Sequence, residues 1–452
     1  MHRDNTPWQP AAAADIDWGE SGEPRSSAFG DVYYSRDDGR EESHYVFLQG
    51  NGLPARWQGW PHNRFCIAET GFGTGLNFLL TWQAWREAPA PVPDLHYLSV
   101  EKYPMAAADL ARALSAWPKL GPLAEQLLQH YPGLVPGQYR LLLEGGRITL
   151  DLWWEDVAAA LPDLASHGRV VDAWYLDGFA PARNEAMWQP EVMRAVGRLS
   201  RPAATFSTFT AAGEVRRQLA AAGFVVSKVA GYGRKRECLR GCMGESGEVP
   251  GPADETPWDL PANPGEAPQR VIVLGAGLAG TTVASALARR GTQVLLLERD
   301  TIASGGSGNE QGVLYTRLSR KHSPLTDFAL LSFRFSSAFY RDMFSREALR
   351  AGTDGALCGC FQQSADASEM DFLRPALDPA PELASVIDAV TATEKTGLEQ
   401  PFAGYWFPRS GWLHPPAVCR SLADHPLIEL HERCGEVKLG PIEDGWRAVD
   451  SS

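Results

Sequence analysis

The chain has 452 residues, 44% hydrophobic and 21% charged, with a formal net charge of −13. That length suffices for two or three domains with full cores, and the composition argues against wholesale disorder. It contains no run of about 18 or more apolar residues, and its first residues lack the apolar stretch of a signal peptide, so a cytoplasmic protein without a membrane partner is expected.

Residues 1–45 are polar and turn-rich. From there to about Gly244, strand-like runs (65–68, 95–100, 147–150, 173–176, 205–209, 224–229) alternate with helix-like runs (75–86, 106–116, 157–161, 190–199, 211–222). Such alternation predicts a mostly parallel, doubly wound α/β sheet. The first strand runs into Glu69-Thr70-Gly71-Phe72-Gly73-Thr74-Gly75. Glycines permit a tight turn and let a ligand approach the backbone. The last glycine comes one residue earlier than in the dinucleotide pattern, a spacing that suits S-adenosylmethionine better than a pyrophosphate. Glu69 is expected beside the methionine amino group.

The acids that end the next strands extend this site. Glu101 closes the run 98–101, where a carboxylate would hold a ribose diol. Asp156 follows the third strand, where it would meet the adenine amino group; the competing reading is a helix cap. The fourth strand ends Leu176-Asp177-Gly178-Phe179-Ala180-Pro181. An acid there points into the crevice where α/β enzymes bind ligands. The loop resembles the Asp-Pro-Pro-Tyr loop of amino-group methyltransferases, and Asp177 is the expected catalytic residue. It would orient an amine, take its proton and favour the developing ammonium charge.

Between Arg194 and Arg240 stand ten Lys or Arg against two Glu. A phosphate-binding face can persist inside an acidic protein because charges beyond about 8–10 Å are screened. The competing reading is a solvated helix face. Seven scattered cysteines do not form a disulfide framework, and neither Cys238/Cys242 nor Cys358/Cys360 has a second pair at zinc spacing, so no metal is expected.

Residues 245–268 are rich in Pro, Gly and acid and read as an inter-domain linker. The domains are thus 1–244 and 269–452. The second opens with Val271-Ile272-Val273-Leu274-Gly275-Ala276-Gly277-Leu278-Ala279-Gly280, the dinucleotide fingerprint. Glu298 lies 18 residues past Gly280, where a ribose-binding acid belongs. The small-residue loop 303–312 would pass under a flavin ring, with Ser304, Gly308 and Asn309 as contacts.

Three segments, 68–78, 176–181 and 231–237, together with 27–35, resemble the methyltransferase half of the MnmC family of bifunctional tRNA-modification proteins. The loop 303–312 resembles that of flavin amine oxidases of the D-amino-acid-oxidase and sarcosine-oxidase type. With Gly411-Trp412-Leu413-His414-Pro415-Pro416 it matches the oxidoreductase half of the same family. The resemblance implies a Rossmann-like class I methyltransferase domain followed by a D-amino-acid-oxidase-like FAD-binding α/β domain. It implies methyl transfer from S-adenosylmethionine to the amine of 5-aminomethyl-2-thiouridine at the tRNA wobble position. It implies FAD-dependent oxidation of 5-carboxymethylaminomethyl-uridine to that amine. It also implies that Arg234, Lys235 and Arg236 meet RNA phosphate. Only 172 residues follow Gly280, with no evident strand returning to the nucleotide sheet. The FAD domain therefore reads as C-terminally incomplete, with exposed core, weak FAD binding and impaired oxidase activity. The alternatives are a small-molecule amine methyltransferase joined to a sarcosine-oxidase-like module, and a tRNA-binding module without chemistry.

Overall fold

Three short strands, β1 (Ile16–Trp18), β2 (Pro24–Ser26) and β3 (Asp31–Val32), form a small antiparallel sheet in the stretch read as polar and turn-rich. The structure is a computed structural model. It describes residues 11–20, 22–34, 39–165, 168–233, 235–244, 268–319, 323–443 and 445–450. The chain divides into two units between Pro261 and Ala262. Residues 245–267, where the linker is expected, lie outside the described residues.

The first unit continues with α1 (Gly39–Ser43), β4 (Arg64–Thr70), α2 (Leu76–Glu87), β5 (Asp94–Glu101), α3 (Ala107–Leu114) and α4 (Gly121–His130). There follow β6 (Gly137–Leu143), β7 (Ile148–Trp154), α5 (Val157–Ala165), β8 (Val171–Leu176), α6 (Pro190–Leu199), β9 (Ser200–Thr208), α7 (Gly213–Ala221), β10 (Phe224–Ala230) and β11 (Glu237–Met243). Eight strands make one sheet in the order β10-β11-β9-β8-β4-β5-β7-β6. The five strands from β9 to β7 are parallel, and β6, β11 and β10 extend the sheet by antiparallel pairing. β4 is central. Residues 65–70 are all buried, as expected for a parallel strand covered on both faces. Helix α2 buries most of its circumference, including Phe78 and Trp82, against this sheet.

Every expected strand and helix of this unit is present, most of them longer than the sequence runs suggested. Helix α5 runs on past Pro162, since one missing N–H removes a single bond from a helix held by its buried face. Strands β6 and β11 and helix α4 were not expected. β6 is an edge strand whose burial merely alternates, and β11 carries Glu237 and Arg240, which dilute the apolar signal.

The second unit opens with a parallel βαβ: β12 (Arg270–Leu274), α8 (Leu278–Ala288) and β13 (Gln293–Leu297). β14 (Gly312–Leu314), α9 (Pro324–Ser345), β15 (Gly355–Ala356), β16 (Cys360–Gln363), α10 (Ala367–Leu377), β17 (Ser385–Ile387), α11 (Ala389–Thr396), β18 (Gly404–Phe407), β19 (Gly411–Leu413) and α12 (Pro415–Ala423) follow. They include two three-stranded antiparallel sheets, β14-β19-β15 and β16-β18-β17. One expectation is corrected here. A late strand, β20 (Ile428–His431), does return to the nucleotide sheet and pairs parallel with β13. Four residues with charge at alternate positions are too short a signal to read as a parallel strand. The last described elements, β21 (Val437–Ile442) and β22 (Gly445–Asp450), form a hairpin.

Candidate functional site

The chain leaves β4, builds β5 and β7 on one side, then crosses back to build β8 and β9 on the other. The reversal puts a crevice at the C-terminal ends of β4 and β8, the place where open α/β sheets bind ligands. The first glycine loop forms its floor. Gly71, Gly73 and Gly75 have φ of 84°, 52° and 70°, a region that costs other residues about 1–2 kcal/mol each. A Cβ on Gly71 would lie 3.4 Å from the Gly178 Cα, and one on Gly73 3.2 Å from the Tyr33 ring. The loop is tied down by Gly71 N–H to the Val100 carbonyl (2.8 Å) and by the Thr70 hydroxyl to the Asp177 carbonyl (2.7 Å). Above it opens a cavity of about 740 Å³.

Glu101, Asp156 and Asp177 all line this cavity. The two oxygens of Glu101 accept the backbone N–H of Gly73 (3.0 Å) and of Tyr103 (2.8 Å). Burial raises its pKa against the pull of those donors. Asp156 takes the capping role that competed with adenine contact in the sequence reading. Its carboxylate caps α5 through the Ala158 N–H (2.9 Å) and pairs with Lys102 (2.8 Å), while still facing the cavity. Burial opposes its charge, yet Lys102 and the Ala158 N–H outweigh burial and hold the carboxyl below its ordinary range.

Asp177 follows β8 directly. Its oxygens accept the Gly178 N–H (2.8 Å) and the Asn77 side-chain N–H (2.8 Å). Burial pushes its carboxyl up to about 6, against Gly178, Asn77 and the nearby Lys235 charge. It thus ionises near neutrality, where a proton acceptor works best.

Glu69 departs from its expected place. It is fully buried and does not line the cavity. Asn77 (2.9 Å) and Ser99 (2.7 Å) donate to its two oxygens, and burial together with the Asp177 charge pushes its carboxyl up to about 8. It lies one layer beneath the loop.

The sequence reading missed several cavity residues. Asn77, in the first turn of α2, bridges Glu69 and Asp177; the Leu-Asn-Phe that follows the glycines was its only signal. Phe29, Tyr33 and Phe179 form an aromatic wall, with Phe29 stacked on Phe179 at 4.7 Å and Tyr33 edge-on at 5.2 Å. Glu42 of α1 also lines the cavity and accepts a 2.7 Å bond from Lys235. Phe29, Tyr33 and Glu42 come from the segment around β3 and α1, which local periodicity could not tie to the site.

Of the three expected phosphate-binding residues, Arg234 lies outside the described residues. Lys235 and Arg236 are exposed on the β10–β11 hairpin, whose register sets it at the same sheet edge as the glycine loop. Lys235 stands over the Phe209 ring at 4.4 Å and lines the cavity. The rest of the basic cluster is less free than the local count implied. Arg201 pairs with Asp172, Arg217 with Glu214, and Lys228 with Glu237. Asp172 was invisible to a count confined to residues 194–240 because it arrives from β8.

In the second unit, Gly275 has φ of 91° and donates its N–H to the Leu297 carbonyl (2.7 Å). A Cβ on Gly280 would fall 1.8 Å from the Gly275 carbonyl oxygen, so only glycine lets α8 approach the loop. Gly277 is the N-cap of α8. Glu298 ends up beside the loop and accepts the Ala276 N–H (2.6 Å) and the Asp300 N–H (3.0 Å). Ser304, Gly308 and Asn309 are exposed, in a turn held by Gly308 N–H to the Gly305 carbonyl (2.9 Å). Ser307 was missed: its hydroxyl accepts the Leu278 N–H (3.0 Å) at the head of α8. The 411–416 motif forms β19 and opens α12.

Fold and sites define a methyltransferase unit joined to an FAD-dependent oxidoreductase unit. Residues 118–244 match a family described as S-adenosyl-L-methionine-dependent methyltransferase, and residues 270–447 match the FAD dependent oxidoreductase family. The first match begins beyond the glycine loop and Glu101. A tRNA 5-methylaminomethyl-2-thiouridine biosynthesis bifunctional protein MnmC of Ectopseudomonas mendocina is 43% identical over 96% of this chain and 64% of its own length. The MnmC protein of Chromobacterium violaceum is 43% identical, over 97% of this chain and 65% of that one. That of Nitrosospira multiformis is 42% identical, over 96% and 67%. The chain belongs to the MnmC family. It spans about two thirds of the length of these relatives.

Proposed function

We propose that the first unit transfers a methyl group from S-adenosylmethionine to the primary amine of a 5-aminomethyl-2-thiouridine at the tRNA wobble position. The observation that carries this reading is Asp177, ionising near pH 6 at the sheet's switch point, facing a cavity with an aromatic wall. The glycine cradle and the carboxylates of Glu101 and Asp156 fit an adenosyl group with its diol and amino edge. Bound there, S-adenosylmethionine supplies an electrophilic methyl on a sulfonium. Asp177 accepts the amine N–H, aims the nitrogen lone pair and takes up the proton released as the carbon–nitrogen bond forms and the methyl–sulfur bond breaks, leaving the neutral thioether S-adenosylhomocysteine. Phe29 and Phe179 offer apolar faces to a base, and Lys235 and Arg236 suit RNA phosphate.

The second unit, in this reading, binds FAD, with Gly275, Gly277 and Gly280 under the pyrophosphate and Glu298 at the ribose. FAD supplies the two-electron oxidant that unmasks the amine from 5-carboxymethylaminomethyl-uridine. The test is transfer of labelled methyl from S-adenosylmethionine to tRNA bearing 5-aminomethyl groups. Label recovered as 5-methylaminomethyl-uridine supports the reading. Absence of label in tRNA, with label entering small amines instead, overturns it.

A further inference from the structure

Asn77 joins two carboxylates that otherwise have no direct link. Its side-chain nitrogen donates one hydrogen to Glu69 (2.9 Å) and the other to Asp177 (2.8 Å). The Asp177 carboxylate fixes which end of the amide is nitrogen, because an oxygen there would face an ionised acceptor. The Asn77 oxygen is buried and makes no hydrogen bond among the described residues, so the polar contacts that orient this side chain are the two from its nitrogen. Asn77 stands in the first turn of α2, and its two partners end adjacent parallel strands, β4 and β8.

We propose that Asn77 is a positioning residue for methyl transfer: pinned from below by Glu69, its amide holds the Asp177 carboxylate at the angle that receives the amine. This rests on the methyltransferase reading of the same cavity.

Glu69 suits the role of anchor. Fully buried, it stays neutral through most of the physiological range. Neutral, it can donate from one oxygen to the Ser99 hydroxyl while still accepting Asn77 on the other. It therefore orients Asn77 without placing a second full charge beside Asp177. The other charged or titratable groups around Asp177 are Glu42 from α1, Tyr97 and Glu101 from β5, and Lys235 from the β10–β11 hairpin. None of them touches the Asn77 amide nitrogen. Removing the amide takes away one of the donors that favour the ionised form of Asp177, so the acidic limb of the pH–rate profile must move up.

The experiment uses the full chain, labelled S-adenosylmethionine and tRNA bearing 5-aminomethyl groups, with kcat and KM followed from pH 5 to 9. Asn77→Leu is expected to lower kcat about tenfold or more, to leave KM for S-adenosylmethionine within about twofold, and to shift the acidic limb to higher pH. Asn77→Asp puts a third carboxyl between the two and is expected to shift the limb further. Glu69→Gln keeps an acceptor for Asn77 and is expected to retain most of the activity with the limb in place. Wild-type profiles in both Asn77 variants overturn the inference while leaving the methyltransferase reading standing. A wild-type chain that methylates no tRNA overturns that reading and this one together. Should Asn77→Leu fail to bind S-adenosylmethionine, Asn77→Asp decides: a limb shifted to higher pH supports the inference, and a wild-type limb overturns it.

Discussion

Both units build a strand, a glycine loop and a helix, and the two corners differ in what surrounds the strand. β4 pairs on both sides, with β5 and β8, and six of its seven residues are buried. Among the described residues β12 pairs only with β13, none of its five residues is buried, and Leu274 is 46% exposed. The local geometry is nonetheless sound in both. Gly71 and Gly275 each take the left-handed region and each donate an N–H to the neighbouring strand. A glycine loop is thus a local device that forms wherever its strand and helix meet. A burial-tuned carboxylate is not local. Asp177 is pushed up to about 6 because a full sheet and its covering segments exclude water from it. Glu298, half-buried just after β13, is instead held by the N–H groups of Ala276 and Asp300.

The largest expected effect tests where the chemistry lies. Asp177→Asn should keep S-adenosylmethionine binding and lower methyl transfer about a hundredfold or more. Wild-type turnover would remove the contrast between the two corners. The same substitution should raise the melting temperature of the first unit at pH 7. The sign follows from the pKa. In the folded protein Asp177 holds its proton up to about pH 6, whereas an ordinary carboxyl releases it near 3.8. The folded state therefore binds more protons between those values, and stability falls as pH rises through that window. Asparagine removes the loss, so an unchanged melting temperature would speak against a burial-strained carboxylate.

Glu101→Ala should weaken S-adenosylmethionine binding by about 1.5–3 kcal/mol, since it removes charge-assisted hydrogen bonds and the anchor of the Gly73 N–H. Calorimetry on the folded variant checks this, and Glu298→Ala with FAD is the matching measurement in the second corner. The pH profile of methyl transfer gives the next step: below about pH 6 the rate should fall roughly tenfold per unit as Asp177 protonates. A flat profile down to pH 5 would reject Asp177 as proton acceptor.

Smaller effects compare the two loops themselves. Gly71→Ala and Gly275→Ala each force a side chain into the left-handed region, at about 1–2 kcal/mol. A Cβ on Gly71 would meet Gly178 at 3.4 Å, an ordinary contact, and one on Gly275 would meet open space, so the two substitutions should cost about the same through backbone strain alone. Urea midpoints followed separately for the two units would measure it. Arg236→Ala, at an exposed position, should reduce the log–log salt slope of tRNA binding by about one charge. An unchanged slope returns Arg236 to ordinary solvated surface.

Much of the site was legible along the chain because each piece is a short local signal. The glycines of both loops, Glu101 and Glu298 at strand ends, and Asp177 with its Gly-aromatic turn are read from spacing alone, since the end of a parallel strand fixes where the next residue points. The parallel core of the first sheet followed from alternation of apolar runs. Partners distant in sequence were not legible. Asn77 gains meaning only when β4 and β8 lie side by side. Glu42 reaches the cavity from a segment with no pattern of its own, the packing of Phe29 on Phe179 joins two motifs far apart in the chain, and Asp172 neutralises Arg201 from across the sheet. Sequence determined which residues turn, which alternate and which carry charge, because those properties depend on neighbours within a few positions. Tertiary structure alone decided which carboxylate is buried to ionise near neutrality, which lies beneath the loop, and which lysine meets an acid, because desolvation and charge pairing depend on what packs there from the rest of the chain.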